Sequence, residues 1–329
     1  MITDILHEIS INELDFIRIG QAEDTEAGTG CTVFIREEGM CAGLDVRGGG
    51  PASRDTALLD PLANADTIHA VLLSGGSAFG LSAAEGVMRY LSERGIGYDV
   101  GVTRVPLVCQ SDLFDLAVGR CDVWPDAEMA FSACVNAEKR NYRDGCFGAG
   151  CGATVGKWFG PATSMKSGVG SCAVELGELK IGAVAAVNSL GDIFDCRTHE
   201  QIAGLLTEDL KALRSTREIM YRSFETIGNK FVNNTTLGVV MTNGKFSKSQ
   251  LCKIASMAHN GLAGSISPVH TTADGDSIYA LSCGDIYADQ DIIGTIAGEL
   301  MSIAITRAVK SAHRAYGRPS YRDIFPGRK

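Results

Sequence analysis

The sequence predicts a mixed α and β protein built from layered, largely antiparallel sheets with helices on the outside. Three observations lead there. Short apolar runs recur along the chain and end in glycine-rich turns, with the 39 glycines clustered at 43–50, 74–80, 148–156, 168–170 and 182. Segments with apolar residues at helical spacing lie between and after those runs. Two runs, "GSCAVEL" (170–176) and "LKIGAVAAVNS" (179–189), flank "GE" and read as a hairpin.

In chain order, "FIRIG" (16–20), "CTVFI" (31–35) and "HAVLLSGG" (69–76) are expected strands that close in turns. Residues 77–94 are an expected helix, with Ser77 as N-cap and Gly95 as its C-terminal stop. The acidic residues near 126–138 suit a second helix. Further helices are expected at 199–213, 247–261 and 290–316, and further strands at 235–242 and 277–283. Segment 214–233 is polar and most resembles a linker, and no internal repeat appears.

At 329 residues the chain has room for one large domain or two ordinary ones. Hydrophobic residues at 45% and charged residues at 21% suit a globular protein with a sizeable core. A net charge of −9, without a basic block, argues against binding nucleic acid or an anionic membrane. The N-terminus "MITDILHEISINELDF" has early acids and no long apolar run, so no secretory signal is expected. No run approaches the ~18 consecutive apolar residues of a membrane span. Eleven scattered cysteines contain no C-x-x-C pair, and free thiols in a reducing cytoplasm are expected. Six dispersed histidines add no metal pattern, so neither metal nor cofactor is expected.

Several stretches carry candidate chemistry. "SGGSAFG" (74–80) turns from strand to helix and exposes backbone N–H groups, but Phe79 breaks the nucleophile-elbow pattern. "GAGCGATVG" (148–156) is a degraded dinucleotide fingerprint without the strand–turn–helix context. "HTTADGDSIYAL" (270–281) sets Asp274 and Asp276 either side of a glycine before a strand. That pattern makes a good turn, and it also suits a pair of carboxylates that orient an amine. Lys157 and Asn188 each end an apolar run, where solvated side chains are ordinary.

"NNTTLGVV" (233–240) sets four polar residues at the mouth of an apolar strand. A threonine hydroxyl needs an adjacent base, and its own free α-amine can serve. Such an amine, with an unperturbed pKa of roughly 7.7–8.0, is substantially neutral near neutrality. Thr235 would gain one if the Asn234–Thr235 bond were cut by its own hydroxyl. A polar strand entrance with no chemistry explains the same residues locally.

Across residues 15–285 the chain resembles the DmpA-type family of self-processing aminopeptidases, with β-aminopeptidase, L-aminopeptidase/D-esterase and nylon-oligomer hydrolase members. The resemblance is carried in family order by "IRIGQAEDTEAGTGCTVF" (17–34), "GLDVRGGGPASRDTALL" (43–59), "AVLLSGGSAFGLSAAEGVMRYL" (70–91), "VPLVCQSDLFDLAVG" (105–119), "GAGCGATVGK" (148–157), "NTTLGVVMTN" (234–243) and "GLAGSISPVHTTADGDSIYALS" (261–282). It implies a four-layer αββα sandwich of the N-terminal-nucleophile type. It also implies a single catalytic domain, 1–329, self-cleaved into 1–234 and 235–329, whose pieces stay together. Thr235 would be the nucleophile and its new amine the base. Lys157 would polarise or deprotonate the hydroxyl, Asn188 would hold the oxyanion or the substrate, and Asp274 and Asp276 would orient the two amines. The partners implied are small peptide or amide substrates and further copies of the chain, in a homo-oligomer of four or more. Phe114 stands where some members carry a tyrosine, which removes a phenolic donor. The threonine nucleophile and the D-G-D pair lie nearer the nylon-oligomer hydrolases.

Three competing readings use the same residues differently. One is an acyltransferase of the ornithine-acetyltransferase type, built on the same threonine. Another is a serine hydrolase using Ser77 and His270, and the third is a non-catalytic protein that never cleaves.

Overall fold

Ten strands hydrogen-bond together, nine along one continuous path and the tenth beside it. A computed structural model describes residues 5–224 and 234–328. In chain order the strands are β1 (His7–Ile9), β2 (Arg18–Asp24), β3 (Thr29–Val46), β4 (Ala52–Arg54), β5 (Ile68–Ser74), β6 (Val108–Asp112), β7 (Val169–Leu176), β8 (Leu179–Asn188), β9 (Thr235–Gly244) and β10 (Ser277–Ile286). Their spatial order is β1-β7-β8-β9-β10-β3-β5-β6-β4, with β2 also paired to β3. Pairing is antiparallel except for β9 with β10 and β5 with β6.

β3 is 18 residues long and belongs to two sheets. Its residues Cys41–Val46 pair with β10, while Thr29–Ile35 pair with β2 and Cys31–Ile35 with β5. The register slips between Ile35 and Met40, where the strand passes from one sheet to the other. The two sheets stack face to face. Val184, Ala186, Leu237, Val239 and Tyr279 of the first pack with Phe34, Val71, Leu73 and Cys109 of the second. Five helices complete the main elements: α1 (Ala84–Ser92), α2 (Ala127–Ala137), α3 (Thr216–Arg222), α4 (Lys248–Ser265) and α5 (Gln290–Ser311). α1 and α2 cover the second sheet through Val87, Tyr90 and Ala133 on Val33 and Leu72. α4 and α5 cover the first through Ile254, Ala258, Ala297 and Met301 on Ala183, Ala185 and Val240. The result is the expected αββα sandwich. Each fully buried Leu or Val contributes about 1.5–3 kcal/mol, so both helical layers are held mainly by apolar contact. By length and composition α5 could cross a bilayer, yet 67% of its most apolar window is buried in this core.

The 170–189 hairpin forms with Leu176 opposite Leu179 and turns through Gly177 at φ 61°. Gly95 ends its helix as expected, at φ 68°, with the N–H of Ile96 on the carbonyl of Leu91. The expected strand at 16–20 starts at Arg18 and runs on to Asp24. Ser77 is not an N-cap. Gly76 (φ 83°) holds that position, Ser77 itself is left-handed at φ 52°, and a 3₁₀ turn over Ser77–Ala83 precedes α1. The cause is the tightness of the turn, where Gly76 N–H is drawn onto Asp115 Oδ1 at 2.8 Å.

Segment 199–213 is not a helix. It forms a short strand, Gln201–Ala203, followed by turns. Gly204 sits at φ 145°, outside any helix, and the buried Asp192 carboxylate draws in the N–H groups of Leu205 and Thr216 and the Thr216 hydroxyl. The expected linker at 214–233 contains α3, capped by Ser215. Its remainder from 225 lies outside the described residues.

Candidate active site

β8 and β9 are antiparallel, and their register sets Asn188 directly opposite Thr235. Side chains alternate along a strand. Thr235 therefore shares a face with Leu237 and Val239, and Asn188 with Ala186 and Val184, at the end of the layer between the sheets. Thr236 points the other way, toward the helical side. Thr235 is 4% exposed, and its hydroxyl lies 2.5 Å from the carbonyl oxygen of Asn234.

Lys157 follows a short strand, Thr154–Val155, that pairs with Met165–Lys166. Its ammonium donates to the backbone carbonyl of Asn188 at 2.8 Å and to Asn188 Oδ1 at 2.7 Å. Oδ1 also accepts the N–H of Thr154, and Nδ2 donates to the carbonyl of Phe114. The Asn188 amide thus fixes Lys157 on the residue paired with Thr235, a positioning task more evident here than the expected contact with an oxyanion. Burial of the ammonium pulls the Lys157 pKa from 10.5 down to about 7, against the opposing pull of Asp274 and Asp115. A lysine poised there can accept a proton near neutrality.

Asp274 and Asp276 are each 1% exposed. Asp274 accepts from the N–H and hydroxyl of Thr271, at 2.9 and 2.6 Å. Burial, and then the neighbouring Asp276 charge, raise its pKa to about 6. Asp276 accepts the N–H of Thr236 at 2.7 Å on one oxygen. Its other oxygen takes His270 Nδ1 at 2.8 Å and the His270 N–H at 3.2 Å.

The glycine between the carboxylates has its own task. The N–H of Gly275 donates to the carbonyl oxygen of Asn234 at 2.9 Å. A Cβ on Gly275 would stand 2.7 Å from the Thr235 hydroxyl. The run Gly48–Gly50 backs this segment, its N–H groups bonding the carbonyls of Asp276, Thr271 and Asp274. A Cβ on Gly48 would meet Asp276 N at 2.3 Å, so no larger residue fits.

The structure therefore gathers Thr235, Asn234, Lys157, Asn188, Asp274 and Asp276 from four separated stretches of sequence. It does not join Ser77 to His270. The imidazole gives Nδ1 to Asp276, and Nε2 has no hydrogen-bond partner among the described residues. Segment 148–156 forms a 3₁₀ turn and a two-residue strand, without the helix that a dinucleotide site requires. Sequence reasoning missed two supports. Asp115, held by the Thr29 hydroxyl and Gly76 N–H, is raised to about 6 by burial and acts on Lys157. Lys166 is wholly buried and donates to the carbonyls of Gly150, Ala153 and Ser167, fixing the segment that leads to Lys157. A lysine in an apolar, glycine-rich stretch was the only signal for the second. A cleft of about 490 Å³ lined by Glu8, Asn12, Tyr142, Asp144, Ser171 and Arg307 includes none of the residues around Thr235.

Comparison with known proteins bears on this geometry. Peptidase family S58 matches residues 2–319. An uncharacterized aminopeptidase of Mycobacterium bovis is 34% identical over 350 aligned positions, covering 97% of this chain and 98% of the relative. A 6-aminohexanoate-oligomer endohydrolase of Kocuria sp. is 28% identical over 313, covering 89% and 84%. The L-aminopeptidase D-Ala-esterase/amidase of Ochrobactrum anthropi, described as a variant of the Ntn hydrolase fold, superposes with a TM-score of 0.70 at 15% identity, over 92% of this chain and 86% of that one. A β-aminopeptidase of Burkholderia sp. gives 0.66 at 16% identity, over 95% and 90%. Family and relatives are hydrolases, which does not favour an acyltransferase. With a match from residue 2 to residue 319, the chain belongs to peptidase family S58, and its reaction is amide-bond hydrolysis.

Proposed function

We propose that this peptidase cuts its own Asn234–Thr235 bond and then works as an N-terminal-threonine hydrolase. The observation that carries the reading is the buried Thr235 hydroxyl against the Asn234 carbonyl group, with Gly275 N–H on that carbonyl's oxygen and Lys157 held on the opposite residue, Asn188. Thr235 Oγ1 attacks the Asn234 carbonyl carbon and its proton passes to Lys157. The Gly275 N–H, at 2.9 Å, supports the charge growing on the oxygen. The C–N bond breaks as the Thr235 nitrogen takes a proton. Water then hydrolyses the ester, leaving a carboxylate on Asn234 and a free hydroxyl and amine on Thr235.

The same hydroxyl next attacks a substrate amide, with the new amine and Lys157 carrying the proton, and water releases the acyl group. Asp274 and Asp276 keep the two amines from standing as uncompensated buried charges. The substrates are small peptides, amino-acid amides or related oligomers, as the names of the relatives suggest. The enzyme works in the cytoplasm, consistent with eleven unpaired cysteines, and as a homo-oligomer of four or more, as family likeness suggests. Denaturing electrophoresis with intact mass tests the central step. Two species divided at 234/235, replaced by one in Thr235→Ala, support it. A single full-length species with full amidase activity overturns it.

A further inference from the structure

His270 belongs to none of the steps above, yet among the described residues it is the only side chain on one oxygen of Asp276. Its Nδ1 lies 2.8 Å from Oδ2, and its own N–H adds a second contact at 3.2 Å. With Nδ1 turned to the carboxylate, Nε2 is left without a hydrogen-bond partner among the described residues. The residue is left-handed, at φ 55°, a conformation that costs a histidine energy and bends the backbone so that ring and N–H reach the same oxygen.

The ring is held from behind. His259 of α4, fully buried, meets it edge to face at 4.8 Å between centroids and 73°. His259 Nε2 in turn meets the carbonyl of Asp45 at 3.0 Å, and Arg47 spans the Asp45 carboxylate and the Ser256 carbonyl. The charged and titratable groups around His270 are thus Asp276 and Asp274 on its own loop, His259 on α4, and Asp45 and Arg47 at the end of β3. Burial lowers the His259 pKa to about 4, so the ring behind His270 is neutral under ordinary conditions.

We propose that His270 is a positioning residue for the nucleophile: it holds one oxygen of Asp276 so that the other stays on the N–H of Thr236, fixing Thr235 before self-cleavage and offering an aimed carboxylate to the new α-amine afterwards. This rests on the threonine reading above. Removing the His270 donor frees the carboxylate to turn off the Thr236 N–H, so the loss reads out in kcat rather than in KM, and an amide donor at the same place restores it.

The test uses the full chain with His270→Ala, His270→Gly and His270→Asn. Asparagine tolerates a left-handed backbone and places an amide N–H where Nδ1 stands. Glycine relieves the backbone and supplies no donor. In Ala and Gly, self-cleavage slows and kcat falls about 30-fold with KM within about threefold. In Asn both return to near wild type. An undiminished kcat in Ala, recovery in Gly equal to that in Asn, or an Asn variant as impaired as Ala each overturn the role. Wild type and Thr235→Ala are run beside them. An uncleaved wild type or an active Thr235→Ala overturns the threonine reading, whereas a cleaved wild type with an undiminished kcat in His270→Ala overturns the His270 role alone.

Discussion

Gly275→Ala is the sharpest single perturbation of the site. The added Cβ would lie 2.7 Å from Thr235 Oγ1, 2.9 Å from the carbonyl oxygen of Gly50 and 3.3 Å from Pro51 Cα. Ordinary contact begins near 3.4 Å, so the hydroxyl must retreat by 3.4 − 2.7 = 0.7 Å if nothing else moves. The opposite wall is backbone zipped to the D-G-D segment through Gly48, Gly49 and Gly50, which leaves the hydroxyl as the softer element. A misplacement of 1 Å can cost about 100-fold in rate, so 0.7 Å costs on the order of 10–100-fold. Gly275 is not left-handed, so alanine brings no conformational strain of its own, but its 2.9 Å approach to the Gly50 carbonyl forces a small backbone shift and costs about 1–3 kcal/mol. The assay is a time course of intact mass on freshly purified protein, with a thermal melt beside it. A slow conversion with Tm lowered by no more than about 10 °C is expected, the protein remaining folded at the assay temperature. Wild-type conversion in Gly275→Ala would show that the hydroxyl position is not what limits cleavage.

Lys157 must lose a proton to act as base, so kcat/KM should rise through about pH 7, and Lys157→Arg, which cannot deprotonate there, should be inactive from pH 5 to 9. Asp274 holds the Lys157 pKa up, so Asp274→Asn should move that limb below pH 7 while lowering kcat; a limb displaced upward would contradict the assignment. Asn188→Ala frees the lysine and should cut kcat by about 100-fold with little change in KM, read from steady-state kinetics. Lys166→Met strips three buried carbonyls of their donor and should cost about 2 kcal/mol, seen as a fall in Tm of about 5 °C.

What could be read from the sequence was whatever short-range pattern decides. The 170–189 hairpin forms as read, and the helix expected at 247–261 forms as α4, running on to Ser265. Segment 199–213 reads as helical too, but Asp192, outside the segment, captures the Leu205 N–H within it and the Thr216 N–H just beyond it. Ser77 looked like a cap because the pattern does not reveal how tightly the strand must turn beneath Asp115. At the site, Thr235, Lys157, Asn188 and the two aspartates were named from ordered likeness and converge in space. The partners of Asp276 and the engagement of the Asn188 amide were not legible, because each depends on registers between strands remote in sequence.

The placement of β9 and β10 has a mechanical consequence. Both belong to the segment after Thr235, yet in the sheet they stand between β8 and β3, which belong to the segment before it. A cut at 234/235 would therefore not divide the sandwich along a seam. The shorter product would remain a two-strand insert laced on both edges, and withdrawing it would unzip two ladders and tear α4 and α5 from their core together. Activity after maturation should accordingly be insensitive to dilution, and the two pieces should part only when the whole fold melts.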